Sequence, residues 1–225
     1  MSRSDDDTAA LLCTGAERMG LALAPEVCDR LGRYAAELAK WNRRINLVAA
    51  APIAKIIEKH FLDSLTLLPL LTEQPSPDLL DVGTGAGFPG LVLKTAFSEP
   101  AVTLMEPRQK RAAFLRHIIR TLNLREVTVV EARLTAGGGT SLPQAGYHLI
   151  TSRALSEIAA FLSLVSSYCL QGGRVVCMKG SRWREELEKW QQQEQGEFEL
   201  IETRHCRLPF SNDYRCLMIF RRSTG

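Results

Sequence analysis

The chain has 225 residues, 45% of them hydrophobic and 24% charged, with a formal net charge of +3. That length supports a substantial core, in one domain or in a domain with an appendage. No apolar run approaches the roughly 20 residues of a membrane span, and the polar, acidic start MSRSDDDTAA is unlike a secretory signal. A pI of about 8.6 neither requires nor excludes a nucleic-acid partner, since basic binding domains often exceed about 9.

Residues 1–7 are expected to be disordered, and Thr8 to Ala24 to form a short helix. After Pro25, Val27, Leu31, Tyr34, Leu38, Trp41 and Ile45 recur every three to four positions, which predicts an amphipathic helix ending near Asn46. A third helix is predicted from Pro52 to Leu71, cut off by Pro75 and Pro77. On it His60 and Asp63 are i, i+3 neighbours, read as a structural pair. Residues 1–73 therefore read as an N-terminal helical subdomain and 74–225 as a second domain. In the latter, strands are predicted at 78–83, 101–106, 126–131, 147–151 and 173–178, and helices at 89–97, 108–122, 155–168 and 182–194. This alternation implies an α/β, doubly wound, mostly parallel sheet. Two last strands near 197–206 and 214–221 are joined by a turn at Pro209, Ser211, Asn212 and Asp213, which makes them an antiparallel hairpin. The six cysteines (13, 28, 169, 177, 206 and 216) form no C-x-x-C pair, so the expectation is buried, reduced thiols in a cytoplasmic protein, without a zinc site or disulfide frame.

The chemistry centres on Asp78 to Leu93, DLLDVGTGAGFPGLVL, which reads as strand, tight loop and helix. Gly83, Gly85 and Gly87 let the backbone turn sharply and a ligand approach it. Gly85-Ala-Gly87-Phe-Pro-Gly90 satisfies G-x-G-x-x-G, so a dinucleotide is one reading, with an oxidoreductase as its consequence. Asp81 argues for another. A carboxylate ahead of the first glycine repels a pyrophosphate but accepts hydrogen bonds from an α-ammonium, as S-adenosyl-L-methionine carries. A glycine turn without a ligand is the third possibility.

In such sheets ligands lie at the carboxyl ends of the strands. Glu106 ends the second strand, as a ribose acceptor or a plain helix-start acid. Leu134 and Thr135 follow the third, beside an adenine or as ordinary loop residues. Arg153 in Thr151-Ser152-Arg153-Ala154 ends the fourth, a planar fork suited to carboxylate or phosphate. Arg108, Lys110, Arg111, Arg116, Arg120, Arg125, Arg133, Lys179, Arg182 and Arg184 form either a cationic rim or solvated faces. Trp183 among them stacks on a base or, by default, packs.

Taken together, Trp41-Asn42 to Asn46-Leu47, His60-Phe-Leu-Asp63-Ser64-Leu65, Asp81 to Gly90, Lys110-Arg111, Phe114-Leu115, Ser152-Arg153-Ala154 and Lys179-Gly180 resemble the small-subunit (16S) ribosomal RNA guanine-N7 methyltransferase family called RsmG or GidB. The resemblance spans residues 41 to 180 and implies a class I (Rossmann-like) methyltransferase fold using S-adenosyl-L-methionine. It implies cofactor contacts at Gly83, Phe88, Leu134, Thr135 and Arg153, beside Asp81, Gly85 and Glu106 from the residues themselves, and RNA contacts at Lys110, Arg133 and Lys179. Two departures stand out: Glu106-Pro107 where the family has acid-Ser, and Thr135 where it often has glutamate. Guanine N7 offers an in-plane lone pair and no proton, so in-line attack needs positioning and no catalytic acid or base is assigned. The implied partner is 16S rRNA, the small subunit or an assembly intermediate, with a monomer as the default. A non-catalytic assembly factor with a vestigial pocket is the remaining alternative.

Overall fold

The computed structural model describes residues 3–73, 78–143, 146–153, 157–193 and 196–223. Seven strands form one sheet: β1 (Leu79–Val82), β2 (Val102–Met105), β3 (Val127–Val130), β4 (Tyr147–Arg153), β5 (Cys169–Lys179), β6 (Phe198–Arg207) and β7 (Tyr214–Arg222). Their order is β3-β2-β1-β4-β5-β7-β6, with β1 to β5 parallel and β7 antiparallel to both β5 and β6. The strand order reverses between β1 and β4, which opens a crevice at their carboxyl ends. The expected doubly wound sheet and terminal hairpin are both present, with strand limits within a few residues of those read from the apolar runs.

The N-terminal helices are α1 (Arg3–Arg18), α2 (Pro25–Asn42), α3 (Ile53–Ile56), a π-helical turn (Ile57–Leu62), α4 (Asp63–Leu65) and α5 (Leu68–Thr72). Helix α1 starts inside the stretch 1–7 expected to be disordered. Leu12 and Ala16 on it are fully buried, and once such a turn is anchored, propagation toward the N-terminus adds one hydrogen bond per residue fixed. Helix α2 stops at Asn42, not near Asn46, because Asn42 Oδ1 accepts from the backbone N–H of Leu47 (2.8 Å) and Val48 (3.0 Å) and turns the chain there. Pro75, Pro77 and the boundary between 73 and 74 adjoin or lie in 74–77, outside the described residues, as does Ala154.

These helices, with α6 (Gly90–Ala96) and α7 (Gln109–Thr121), cover one face of the sheet. Leu12, Leu31, Tyr34 and Phe61 join Leu79, Leu104 and Ile219 in one apolar cluster. On the other face Leu80, Ile150 and Phe220 pack against α8 (Ile158–Val165) and α9 (Trp183–Gln191). Leu79 and Leu80 point to opposite sides, as a pleated strand requires. Glu58, in the π-helical turn, is buried and accepts from the N–H groups of Phe210 (2.7 Å) and Ser211 (2.6 Å), which ties the N-terminal helices to the β6–β7 turn.

A further expectation is corrected. Cys13 of α1 and Cys28 of α2 form a disulfide, with Cα atoms 5.7 Å apart. The two sit on packed helices and not in a local motif, so their spacing carried no signal. Among the described residues Cys169, Cys177, Cys206 and Cys216 are free thiols, three of them buried.

Candidate functional site

The loop after β1 is set by backbone needs. Gly83 and Gly87 take φ of 72° and 93°, conformations a side chain resists, and Thr84 N–H reaches across to the carbonyl of Met105 at 3.0 Å. Asp81, fully buried, turns its carboxylate into this loop: Oδ2 accepts from Thr84 Oγ1 at 2.6 Å and from Gly90 N–H at 2.7 Å. Its Oδ1 is buried without a hydrogen-bond partner. Burial pushes the carboxyl up to about 6, against the two hydrogen bonds and Arg153. The N-terminus of α6, where a diphosphate would sit in a dinucleotide site, is therefore already filled by an acidic side chain.

Beside this loop a cavity of about 410 Å³ opens at the carboxyl ends of β1, β2 and β3, lined by Gly83, Glu106, Arg108, Arg111, Arg133 and Leu134, among others. Glu106 is 3% exposed. Its Oε1 accepts from Arg108 N–H at 2.8 Å, while Oε2 lies 3.8 Å from Arg111 Nη1. The residue is thus a helix-start acid and a cavity wall at once, with one oxygen turned toward a long-range cation only. Met105, Leu134 and Leu164 supply apolar surface. A buried acceptor facing a glycine floor, between apolar walls, fits a nucleoside with ribose hydroxyls and a flat base.

A second cavity, about 290 Å³, lies at the ends of β4 and β5 and is lined by Asp63, Arg153, Met178, Lys179, Glu186 and Arg215, with Gly180. Arg153 is held from the N-terminal helices. It donates to the Lys59 carbonyl at 2.9 Å and to His60 Nδ1 at 2.8 Å, lies 3.5 Å from Asp63 Oδ2, and covers the Phe88 ring at 5.1 Å. Asp63 also accepts from Arg215 Nε at 2.8 Å. Burial raises the Asp63 carboxyl, and the two arginines oppose that. His60 and Asp63 are therefore not each other's partners, as their spacing suggested; both serve Arg153.

Because a guanidinium only donates, His60 Nδ1 must keep its lone pair. Burial, then Arg153 and Lys59, push the imidazole down to about 4. The unfolded histidine binds its proton first, so the stabilisation from neutral His60 is complete above about 6.5 and lost as pH falls toward 4. The difference in melting temperature between the wild type and His60→Gln should shrink steadily over that window. A difference independent of pH would show that His60 is not the titrating group.

The structure gathers Gly83, Glu106, Arg133 and Leu134 at the first cavity, and Arg153 with Lys179 at the second. Asp81, in β1, and Gly85, in the loop after it, are not among the residues that line the first. Phe88 is buried, stacked on Tyr34 (centroids 5.9 Å) and His60 (5.0 Å). Thr135 is not among the residues that line the first cavity, and its N–H donates to Thr140 Oγ1 (3.1 Å) while its carbonyl accepts from Tyr168 (2.9 Å). Lys110 is exposed. The cationic rim is partly neutralised: Arg116 pairs with Glu131, and Lys179 with Glu186. Trp183 packs, 9% exposed, with Arg184 over its ring. Sequence reasoning missed Glu186 and Arg215, which carry no motif and reach the cavity only through the folding of α9 and β7.

This sheet order, with a carboxylate-walled cavity beside its switch point, is that of the class I methyltransferase fold. Solved structures agree on the fold: ribosomal protein L11 methylase from Lactobacillus delbrueckii subsp. bulgaricus matches with a TM-score of 0.55 at 12% identity, covering 73% of this chain and 79% of that one. TrmN from Thermus thermophilus matches at 0.55 and 16%, covering 81% and 52%. The family model GidB, rRNA small subunit methyltransferase G, matches residues 27–210, and the chain belongs to that family. Ribosomal RNA small subunit methyltransferase G of Desulfotalea psychrophila is 41% identical over 212 residues, 93% of this chain and 96% of the relative. That of Myxococcus xanthus is 36% identical over 220 residues, 97% of each.

Proposed function

We propose that the chain transfers the methyl group of S-adenosyl-L-methionine to small-subunit (16S) ribosomal RNA, at N7 of a guanine. The observation that supports the cofactor reading is that the Asp81 carboxylate occupies the N-terminus of α6, where a diphosphate would sit, while Glu106 offers a buried acceptor in the wall of the cavity. When bound, the cofactor supplies an electrophilic methyl group. Gly83 lets it lie against the backbone, Glu106 accepts from the ribose, and Leu134 covers the base. Asp81 offers its unpartnered Oδ1 to the ammonium side. Gly85 and Phe88 shape the loop, and Thr135 serves the pocket through its loop's closure. Arg153 lines the acceptor cavity at the end of β4, the strand that pairs with β1.

The acceptor is placed in the second cavity. Guanine N7 needs no deprotonation, so the chain's work is to hold it in line and exclude water, and no side chain is assigned as acid or base. Lys110 and Arg133 follow the carboxyl ends of β2 and β3 and Lys179 ends β5, all on the side of the sheet that RNA would approach. The working location is the cytoplasm, the substrate being free rRNA, the small subunit or an assembly intermediate, met by a monomer.

Two measurements test the reading. Calorimetry should find tight binding of S-adenosylhomocysteine and none of NADH; the reverse would make the chain an oxidoreductase. Tritiated methyl should then pass from labelled donor to small-subunit rRNA, and mapping should find it on a guanine N7. Donor binding without transfer to any form of that RNA would leave a non-catalytic assembly factor. In RNA titrations, Lys110→Ala and Arg133→Ala should each lower the salt slope by about one; unchanged slopes would return both to solvated surface.

A further inference from the structure

We propose that the Lys179–Glu186 pair reads the Watson–Crick edge of the acceptor guanine, the ammonium donating to O6 and the carboxylate accepting from N1–H and the 2-amino group. The inference rests on the second cavity being the acceptor site. Lys179 ends β5, one strand beyond Arg153, whose register partner is Met178. Glu186 stands in α9, and its carboxylate oxygen Oε2 is in direct contact with Lys179 Nζ. Both line the cavity with Asp63, Arg153 and Arg215.

Of the two carboxylates there, Asp63 is consumed: each of its oxygens faces an arginine, and its side chain is 6% exposed. Glu186, at 32%, is the one a ligand can reach. A side-by-side donor and acceptor match guanine in one order, acceptor O6 beside donors N1–H and N2–H₂. Adenine reverses it, setting an amino group against the ammonium and the N1 lone pair against the carboxylate. With the Watson–Crick edge held, N7, on the far side of O6, points away from the pair. Arg153, which lines the cavity, then borders the base. A pair that only fastened α9 to β5 would gain nothing from lining a cavity at the catalytic end of the sheet.

The experiment uses the full chain, labelled S-adenosylmethionine and small subunits reconstituted around rRNA carrying guanosine or inosine at the mapped methylation position. Inosine keeps N7, O6 and N1–H and lacks only the 2-amino group. The wild type should prefer guanosine by about 10- to 100-fold in kcat/KM, the range of one good bidentate base contact. Glu186→Ala should bring the two substrates to within a few-fold of each other, with S-adenosylhomocysteine affinity unchanged. Glu186→Gln, of nearly the same volume, should give an intermediate ratio and stands in if the alanine variant loses S-adenosylhomocysteine binding through misfolding. A wild type indifferent to inosine, or a ratio that survives both variants, overturns the inference. Absence of any transfer to guanosine-containing subunits overturns the function reading instead.

Discussion

Gly87→Ala is expected to destabilise the chain by about 3 kcal/mol and to abolish S-adenosylhomocysteine binding. Two costs combine. At φ 93° a Cβ is strained by about 1–2 kcal/mol, and overpacking a filled site adds about 1–3. The new methyl would collide with the Tyr34 hydroxyl and come within 2.9 Å of Leu91 Cβ. Tyr34 has nowhere to go: it is fully buried, donates to the Ala86 carbonyl, and is boxed by Phe61 (5.1 Å) and Phe88 (5.9 Å). The loop must move instead, and with it Gly83 and the α6 N-terminus. At about 2–4 °C per kcal/mol for a chain of this size, the melting temperature should fall by roughly 6–12 °C. Tyr34→Phe removes the colliding atom, so the double variant should be less unstable than the sum of the singles. Simple additivity would mean that the clash is not what hurts.

Arg153→Ala should cost about 3 kcal/mol in stability, the low end for breaking a buried ion pair. Three acceptors lose a donor together: the Lys59 carbonyl, His60 Nδ1 and Asp63 Oδ2. Asp63, 5% exposed, keeps Arg215 as its one cationic partner among the described residues. Arg153→Lys should rescue little, since one ammonium cannot span a carbonyl, an imidazole and a carboxylate at the fork's spacing. The check is chemical denaturation of the two variants, followed by titration of S-adenosylhomocysteine well below their midpoints. Unchanged stability with lost ligand affinity would make Arg153 a ligand contact and nothing more.

What could be read in the residues, and what could not, follows the range of the interactions. Strands and helices were legible because apolar periodicity is local, and Glu106 because a strand end is a place that topology assigns in advance. Gly83 was legible through the turn it must make. Arg153 was found as a position, yet its partners lie some ninety residues earlier in sequence, beyond any spacing rule. Asp81 was expected to face a ligand; the structure spends one of its oxygens on Thr84 and Gly90, because a buried helix start needs an acceptor. Thr135 follows β3 as expected, but the Thr140 and Tyr168 that take its backbone groups carry no signal in the local sequence. The Cys13–Cys28 bond was invisible for the same reason as Arg215 and Glu186: each depends on two elements meeting in space.

Asp63 sits on a helix ahead of the catalytic sheet, yet its two oxygens answer Arg153 on β4 and Arg215 on β7. Removing the first 73 residues would strand two guanidinium groups beside an emptied wall and uncover Leu79, Leu104 and Ile219 as well. A shortened chain that fails to modify RNA would therefore report a collapsed active site, not a missing delivery arm. Whether the leading helices guide the substrate has to be asked with surface changes on α1 and α2 that leave this carboxylate in place.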